Sequence, residues 1–166
     1  MLVRLTEALA KSPQELFPLL VKTVLELSGA GSAGISLLNE KKGRFVWPAV
    51  AGKLDCYLGS GTPADFGPCG TVLDRNASIL FIHPERHFTY LEPISPPLEE
   101  VLLIPFHVDE KAVGTIWAVI HDKDREFSET DRHLLESLSA FASAAYRTLA
   151  NSGALAPLLE MEPQNL

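Results

Sequence analysis

Cysteine is scarce in this chain. Only Cys56 and Cys69 occur among 166 residues, too few for a disulfide framework and, alone, too few for a closed zinc site. Two free thiols in a reducing compartment are expected. Positive charge is short as well: 14 Lys and Arg stand against 21 Asp and Glu, a net charge of −7. The phosphate neutralisation that drives nucleic-acid binding then has no source, which excludes a nucleic-acid partner. Long apolar runs are missing too. The longest, 101–106 and 112–120, fall well short of the roughly 20 residues that span a bilayer, so no membrane partner is expected. Arg4, Glu7 and Lys11 break up the N-terminus, which lacks the basic region, apolar core and cleavage site of a secretory leader. These absences point to a cytoplasmic protein. What is present, 46% hydrophobic and 21% charged residues, suffices for the core of one globular domain.

Ser12-Pro13-Gln14-Glu15 has the form of a capping box with Pro at the first helical position, and Leu16, Leu20, Val24 and Leu27 continue it as one apolar stripe. Ser28-Gly29 ends this helix, and Pro18 is expected to bend or split it. Apolar runs at 33–38 and 44–51 flank the polar connection 39–43 and predict a hairpin. Residues 52–67, dense in Gly, Pro, Asp and Thr, predict a long loop with one helical turn at most. A short helix over 68–75, a strand over 78–82 and an irregular segment over 83–97 with four prolines follow. The runs 101–108 and 111–121, joined across Asp109-Glu110, predict a second hairpin. Its second strand is apolar on both faces and therefore central. Ser128-Glu129-Thr130-Asp131 caps a long last helix with Leu134, Leu138, Phe141, Ala145 and Leu149 at helical spacing. A neighbouring seam of Leu135, Ala142 and Leu149 suits a partner helix, which predicts a homodimer through the terminal helices. The expected division is a lead-in over 1–11, a domain over 12–150 and a loosely held tail over 151–166.

This order of elements is that of an α+β fold: an antiparallel sheet with N- and C-terminal helices on one face and irregular loops over the other. Residues 99–145 carry more specific features. A strand ends in Pro105-Phe106, a tight turn leads to a strand containing Gly114, and Phe127-Ser128 with Asp131 opens the last helix. In these features the segment strongly resembles the C-terminal half of a GAF domain. The earlier segments 65–75 and 83–90 are similar to those of bacterial GAF sensor modules attached to histidine kinases. The resemblance covers about residues 12–150. It implies a sensing module with a pocket between the sheet and the irregular middle, dimerising through its terminal helices, with a histidine kinase or other output domain as partner.

The resemblance does not name a ligand or cofactor. Bilin-binding relatives attach the pigment to a Cys followed by His, whereas here Tyr57 follows Cys56 and Gly70 follows Cys69. The signature of cyclic-nucleotide-binding relatives is absent, since Lys123, Phe127 and Asp131 lack its spacing. Gly67-Pro68-Cys69-Gly70-Thr71 resembles the catalytic segment of GAF-fold free methionine sulfoxide reductases. There a helix N-terminus lowers a thiol pKa, and a second Cys resolves the sulfenic acid. Only Cys56 is available for that second role. The competing reading of Cys69 is a small buried thiol packed under the loop. His83 to Tyr90 gathers two imidazoles, a guanidinium and two aromatics, suited to an anionic or planar ligand. Metal binding by His83 and His87 would need that segment to be helical. The expected function is therefore a non-catalytic small-molecule or signal sensor with ligand-binding candidates Trp47, Phe66, Cys69, Thr71, His83, Arg86, His87, Tyr90 and Trp117. The alternatives are a thiol enzyme centred on Cys69 and a dimerisation module whose pocket is filled by its own side chains.

Overall fold

The computed structural model describes residues 13–163. Pro13–Glu15 form one 3₁₀ turn that runs directly into helix α1, Leu16–Ser28. The split expected at Pro18 falls at this junction instead. Pro18 is then the third residue of α1, in the turn where backbone N–H groups have no intrahelical acceptor, so its ring removes no hydrogen bond. Ser12, on which the expected capping box depends, lies outside the described residues. Glu15 at the N-cap makes no side-chain cap. Gly29 closes α1 in the left-handed region at φ 67°, its N–H donating to Leu25 O at 3.0 Å. The Arg125 guanidinium donates to the freed Gly29 and Ser28 carbonyls.

Six strands follow: β1 Ser32–Asn39, β2 Arg44–Gly52, β3 Gly61–Pro63, β4 Ile79–Ile82, β5 Glu100–Val108 and β6 Lys111–Ile120. They form one sheet in the order β3-β2-β1-β6-β5-β4 with every neighbouring pair antiparallel. Both expected hairpins are present, and β6 lies between β1 and β5, as its two apolar faces require. Asp109 and Glu110 turn the second hairpin with φ of 52° and 67°, the sign that a two-residue turn needs to match strand twist. Helix α2, Pro68–Arg75, precedes β4, and helices α3, Glu129–Ser152, and α4, Leu155–Leu159, follow β6. The Ser128 capping box is complete: its hydroxyl accepts from Asp131 N–H, and Asp131 carboxylate accepts from Ser128 N–H at 2.9 Å.

Helices α1, α3 and α4 pack on one sheet face, and α2 and the irregular segments cover the other. Between helices and sheet lies an apolar core that includes Phe17, Leu20, Val24, Ile35, Ile104, Phe106 and Ile116. Leu135, Ala142 and Leu149 are part of it at 0%, 0% and 1% exposure. The seam expected to receive a partner helix is thus filled within the chain, where α3 packs against α1 and β5. The described part of the C-terminal tail, up to Pro163, is tied to the sheet as well. Leu155 is buried, Asn39 Nδ2 donates to Leu159 O at 3.1 Å, and Lys42 and Arg44 pair with Glu160 and Glu162. Among the described residues no helix is long and apolar enough to cross a membrane.

Candidate functional site

The loop-side face holds a second core that includes Phe45, Trp47, Leu54, Cys69, Val72, Phe88, Leu91, Leu103 and Trp117. Its centre contains polar groups set by strand register. Ser36 on β1 stands opposite Thr115 on β6, and Gly34 opposite Trp117. A Cβ at Gly34 would stand 2.1 Å from Trp117 Cζ2, so only glycine lets the indole lie across β1. Trp117 Nε1–H then donates to Ser36 Oγ at 3.0 Å. On β2 a bulge intervenes: Ile35 pairs with Ala49 but Leu37 with Val46, which leaves Trp47 and Pro48 opposite Ser36. Trp47 bonds through its backbone to Ser60 and Gly59, and its ring meets Trp117 edge-on with centroids 5.3 Å apart at 60°.

Cys69 is the second residue of α2, which carries it against the sheet. Its thiol donates to Ser36 Oγ at 3.2 Å and accepts from Thr115 Oγ1 at 3.7 Å. The lowering expected from the helix N-terminus does not prevail: burial pushes the Cys69 thiol pKa up, ahead of the opposing hydrogen bonds. The thiol is therefore neutral at ordinary pH. Cys56, in the turn Asp55–Tyr57, is exposed, and both cysteines are free.

Beside Cys69 lies a cavity of about 40 Å³, room by volume for a few water molecules, lined by Trp47, Thr62, Trp117 and apolar residues of β5, β6 and the 84–98 segment. Trp47, Leu91 and Ile94 also line an outer groove of about 220 Å³, together with Tyr57, Ser60, Gly61, Tyr90 and Pro93. Among the described residues no charged one lines either space. Two of these lining residues keep a polar atom buried behind the apolar cavity surface: among the described residues Trp47 Nε1 has no hydrogen-bond partner, and the Thr62 hydroxyl has only the Cys69 sulfur beside it.

Of the residues singled out from the sequence, Trp47, Cys69 and Trp117 meet at the cavity, and Tyr90 lines the outer groove. Burial raises the Tyr90 phenol pKa, with a smaller contribution from Cys69, and its hydroxyl donates to Phe66 O at 2.8 Å. The others are not on the cavity wall. Phe66 is exposed and packs against Phe88 with ring centroids 5.0 Å apart. Thr71 turns its hydroxyl to Gly67 O at 2.8 Å within the first turn of α2. His83 stands between Glu99 at 3.1 Å and Glu85 at 3.6 Å, while Arg86 and His87 are exposed. From that segment the cavity takes Pro84 instead. The described residues contain no cluster of three or more His, Cys, Asp or Glu able to hold a metal. Sequence reasoning missed Ser36, Thr115 and Thr62. A polar residue inside an apolar strand run was the available signal for the first two.

A sheet flanked by terminal helices on one face and by a roofed cavity on the other matches a known architecture. A GAF domain family model matches residues 10–146. The chain belongs to the GAF domain family. Solved GAF structures agree over most of the chain. The GAF domain of the Acinetobacter phosphoenolpyruvate-protein phosphotransferase is 19% identical, with 90% of this chain and 92% of that one covered at a TM-score of 0.76. Free methionine-R-sulfoxide reductase from Neisseria meningitidis, in complex with its substrate, is 17% identical, with 91% and 89% covered at 0.74. The phycoerythrobilin-bound GAF domain of a cyanobacterial phytochrome is 15% identical, with 92% and 95% covered at 0.74. At these identities the likeness is one of fold, since the three differ in what they bind or do. No curated protein matches the sequence.

Proposed function

We propose that this GAF domain is a cytoplasmic regulatory module of bacterial signal transduction that senses a small molecule or signal and is not an enzyme. The observation that carries the reading is the loop-side cavity, which shares Trp47, Leu91 and Ile94 with the neighbouring outer groove. The roof over it is anchored by the buried Phe88, Leu91 and Leu98 and by a few polar contacts. Ser95 N–H donates to Tyr57 hydroxyl at 3.0 Å, His121 Nδ1–H donates to Pro97 O at 2.8 Å, and Tyr90 is tied to Phe66. A molecule larger than the cavity enters by displacing part of this roof. The ligand acts by binding one arrangement of roof and terminal helices better than another. The neutral buried thiol of Cys69 and the exposed position of Cys56 support the non-catalytic role over the thiol-enzyme alternative. The output passes through the terminal helices to a histidine kinase or another output domain. Those helices leave Leu27 exposed and Leu134 and Phe141 half-buried as the apolar surface for a second copy.

Native mass spectrometry of gently purified protein, before and after denaturation, tests the reading. Added mass that leaves on denaturation, and that a cavity-filling Val119→Phe variant fails to carry, is the expected result. Protein that is bare in every preparation and is not stabilised by any member of a metabolite library sinks it, as does sulfoxide reduction that Cys69→Ser abolishes.

A further inference from the structure

An open sheet has two edges, and the backbone groups along each are a template for another strand unless something blunts them. At one end of this sheet β3 is only three residues long and stops at Pro63, and the tail lies over Gly59 beside it, where a Cβ would run into Glu162 O. At the other end β4 has no such protection. It pairs with β5 in one unbroken antiparallel register, from Ile79 opposite Leu103 to Ile82 opposite Glu100, with no bulge. His83 N–H continues the ladder, donating to Glu99 O at 3.0 Å. Backbone groups along an antiparallel strand turn alternately to its two sides, so Phe81 and Ile79 turn inward with His83, and Leu80 and Ile82 turn outward. No described residue pairs with the outward N–H and C=O groups of Leu80 and Ile82. Their side chains are uncovered as well, at 41% and 65% exposure, on the helix side of the sheet opposite Leu102 and Glu100.

Whatever covers this edge is itself an extended strand, with apolar residues set to meet Leu80 and Ile82 and with free backbone groups at the same spacing. The chain carries such a strand in β4 itself. We propose that β4 pairs antiparallel with β4 of a second copy about a two-fold axis at Phe81, joining two six-stranded sheets into one. In that register Leu80 of one copy stands opposite Ile82 of the other, and the two exchange both backbone hydrogen bonds. The axis repeats the pair, so every outward group of Leu80 and Ile82 is satisfied and each exposed side chain packs on its cross-strand neighbour. Phe81 meets its own symmetry mate in the non-hydrogen-bonded position between. Residues 76–82 carry no charge, so no like charges meet at the axis. Both strands are already held extended by β5, and pairing orders little further backbone. A contact four residues long is small, which makes this a weak, reversible dimer. The surface is separate from that of Leu27, Leu134 and Phe141 on the terminal helices, and the pairing does not depend on a ligand.

Sedimentation equilibrium from low-micromolar to millimolar concentration, read together with NMR hydrogen exchange, tests this. In dilute protein the Leu80 and Ile82 amides have no acceptor and exchange freely. In concentrated protein their exchange is expected to slow by about tenfold or more as the dimer forms. A mixture of ¹³C-labelled and unlabelled chains should show an Hα–Hα Overhauser contact from Phe81 of one copy to Phe81 of the other, which only this register gives. Added salt should strengthen the pairing, since each copy carries a net charge of −7. Ile82→Lys puts an ammonium against the partner strand at an exposed position and should weaken association about tenfold or more, with the thermal melt of dilute protein unchanged. Leu80→Pro removes an outward N–H without touching the β5 ladder and should weaken association too. Mass that grows past the dimer and returns to it in Ile82→Lys supports the edge pairing alongside a helix-side contact, since two different axes on one chain make an open array. A chain that stays monomeric at millimolar concentration, a dimer that survives both substitutions, or Leu80 and Ile82 amides protected already in dilute protein overturns it.

Discussion

The two faces of the sheet bury side chains of the same strands but to different ends. On the helix side, alternate residues of β1, β5 and β6 meet α1 and α3 in a core built mainly of aliphatic side chains and phenylalanines. On the loop side, the intervening residues of those strands surround hydroxyls, a thiol and two indoles, and the packing is left incomplete. A core filled to crystal density resists change, whereas one with a cavity has free energy to gain from an occupant. Stability thus resides mainly on one face and responsiveness on the other.

Substitutions can break that contrast. Leu135→Ala on the helix side removes a fully buried side chain and should cost about 2–5 kcal/mol in chemical denaturation, with ligand affinity unaltered in the folded fraction. On the loop side, Ser36→Ala strips the acceptor from both Trp117 and Cys69 and should cost about 1–3 kcal/mol. A Ser36→Ala loss as large as that of Leu135→Ala would erase the difference between the faces. The smallest effect is alkaline. Burial raises the pKa of Cys69 and, on the partly exposed phenols, of Tyr90 and Tyr146. The folded state therefore favours their protonated forms. Stability is full below the ordinary thiol value of 9.0 and falls as pH rises through it. Cys69→Ser, which has no thiol to titrate, should lose less stability between pH 9 and 10, by under about 1 kcal/mol.

What could be read from the sequence divides along similar lines. Local chemistry was legible: the Ser128 and Asp131 cap, the Gly29 stop and the turn at Asp109 and Glu110 each depend on a few adjacent residues. The centrality of β6 followed from apolar residues on both its faces. Partners in space were not legible. Periodicity marked Leu135, Ala142 and Leu149 as apolar but could not say that α1 of the same chain covers them. The tail looked unstructured because its anchors, Asn39, Lys42 and Arg44, are more than a hundred residues away. Trp47, Cys69 and Trp117 were chosen from residue type and position. Ser36 and Thr115 acquire meaning only in the register that sets them face to face, and Thr62 only on a strand three residues long. The His83 to Tyr90 segment misled by composition, for its charged groups are satisfied or exposed at the surface while Pro84 and Leu91 face the cavity.

The edge-on pair of Trp47 and Trp117 also governs how the protein emits light. These are the only two indoles in the sequence, and both are cavity walls. Nearly all ultraviolet fluorescence excited at the red edge of tryptophan absorption therefore originates from one small volume, with no distant fluorophore to dilute it. Anything that enters, wets or dries that volume changes the colour or yield of the whole signal, so the chain carries an unlabelled optical gauge of its own occupancy.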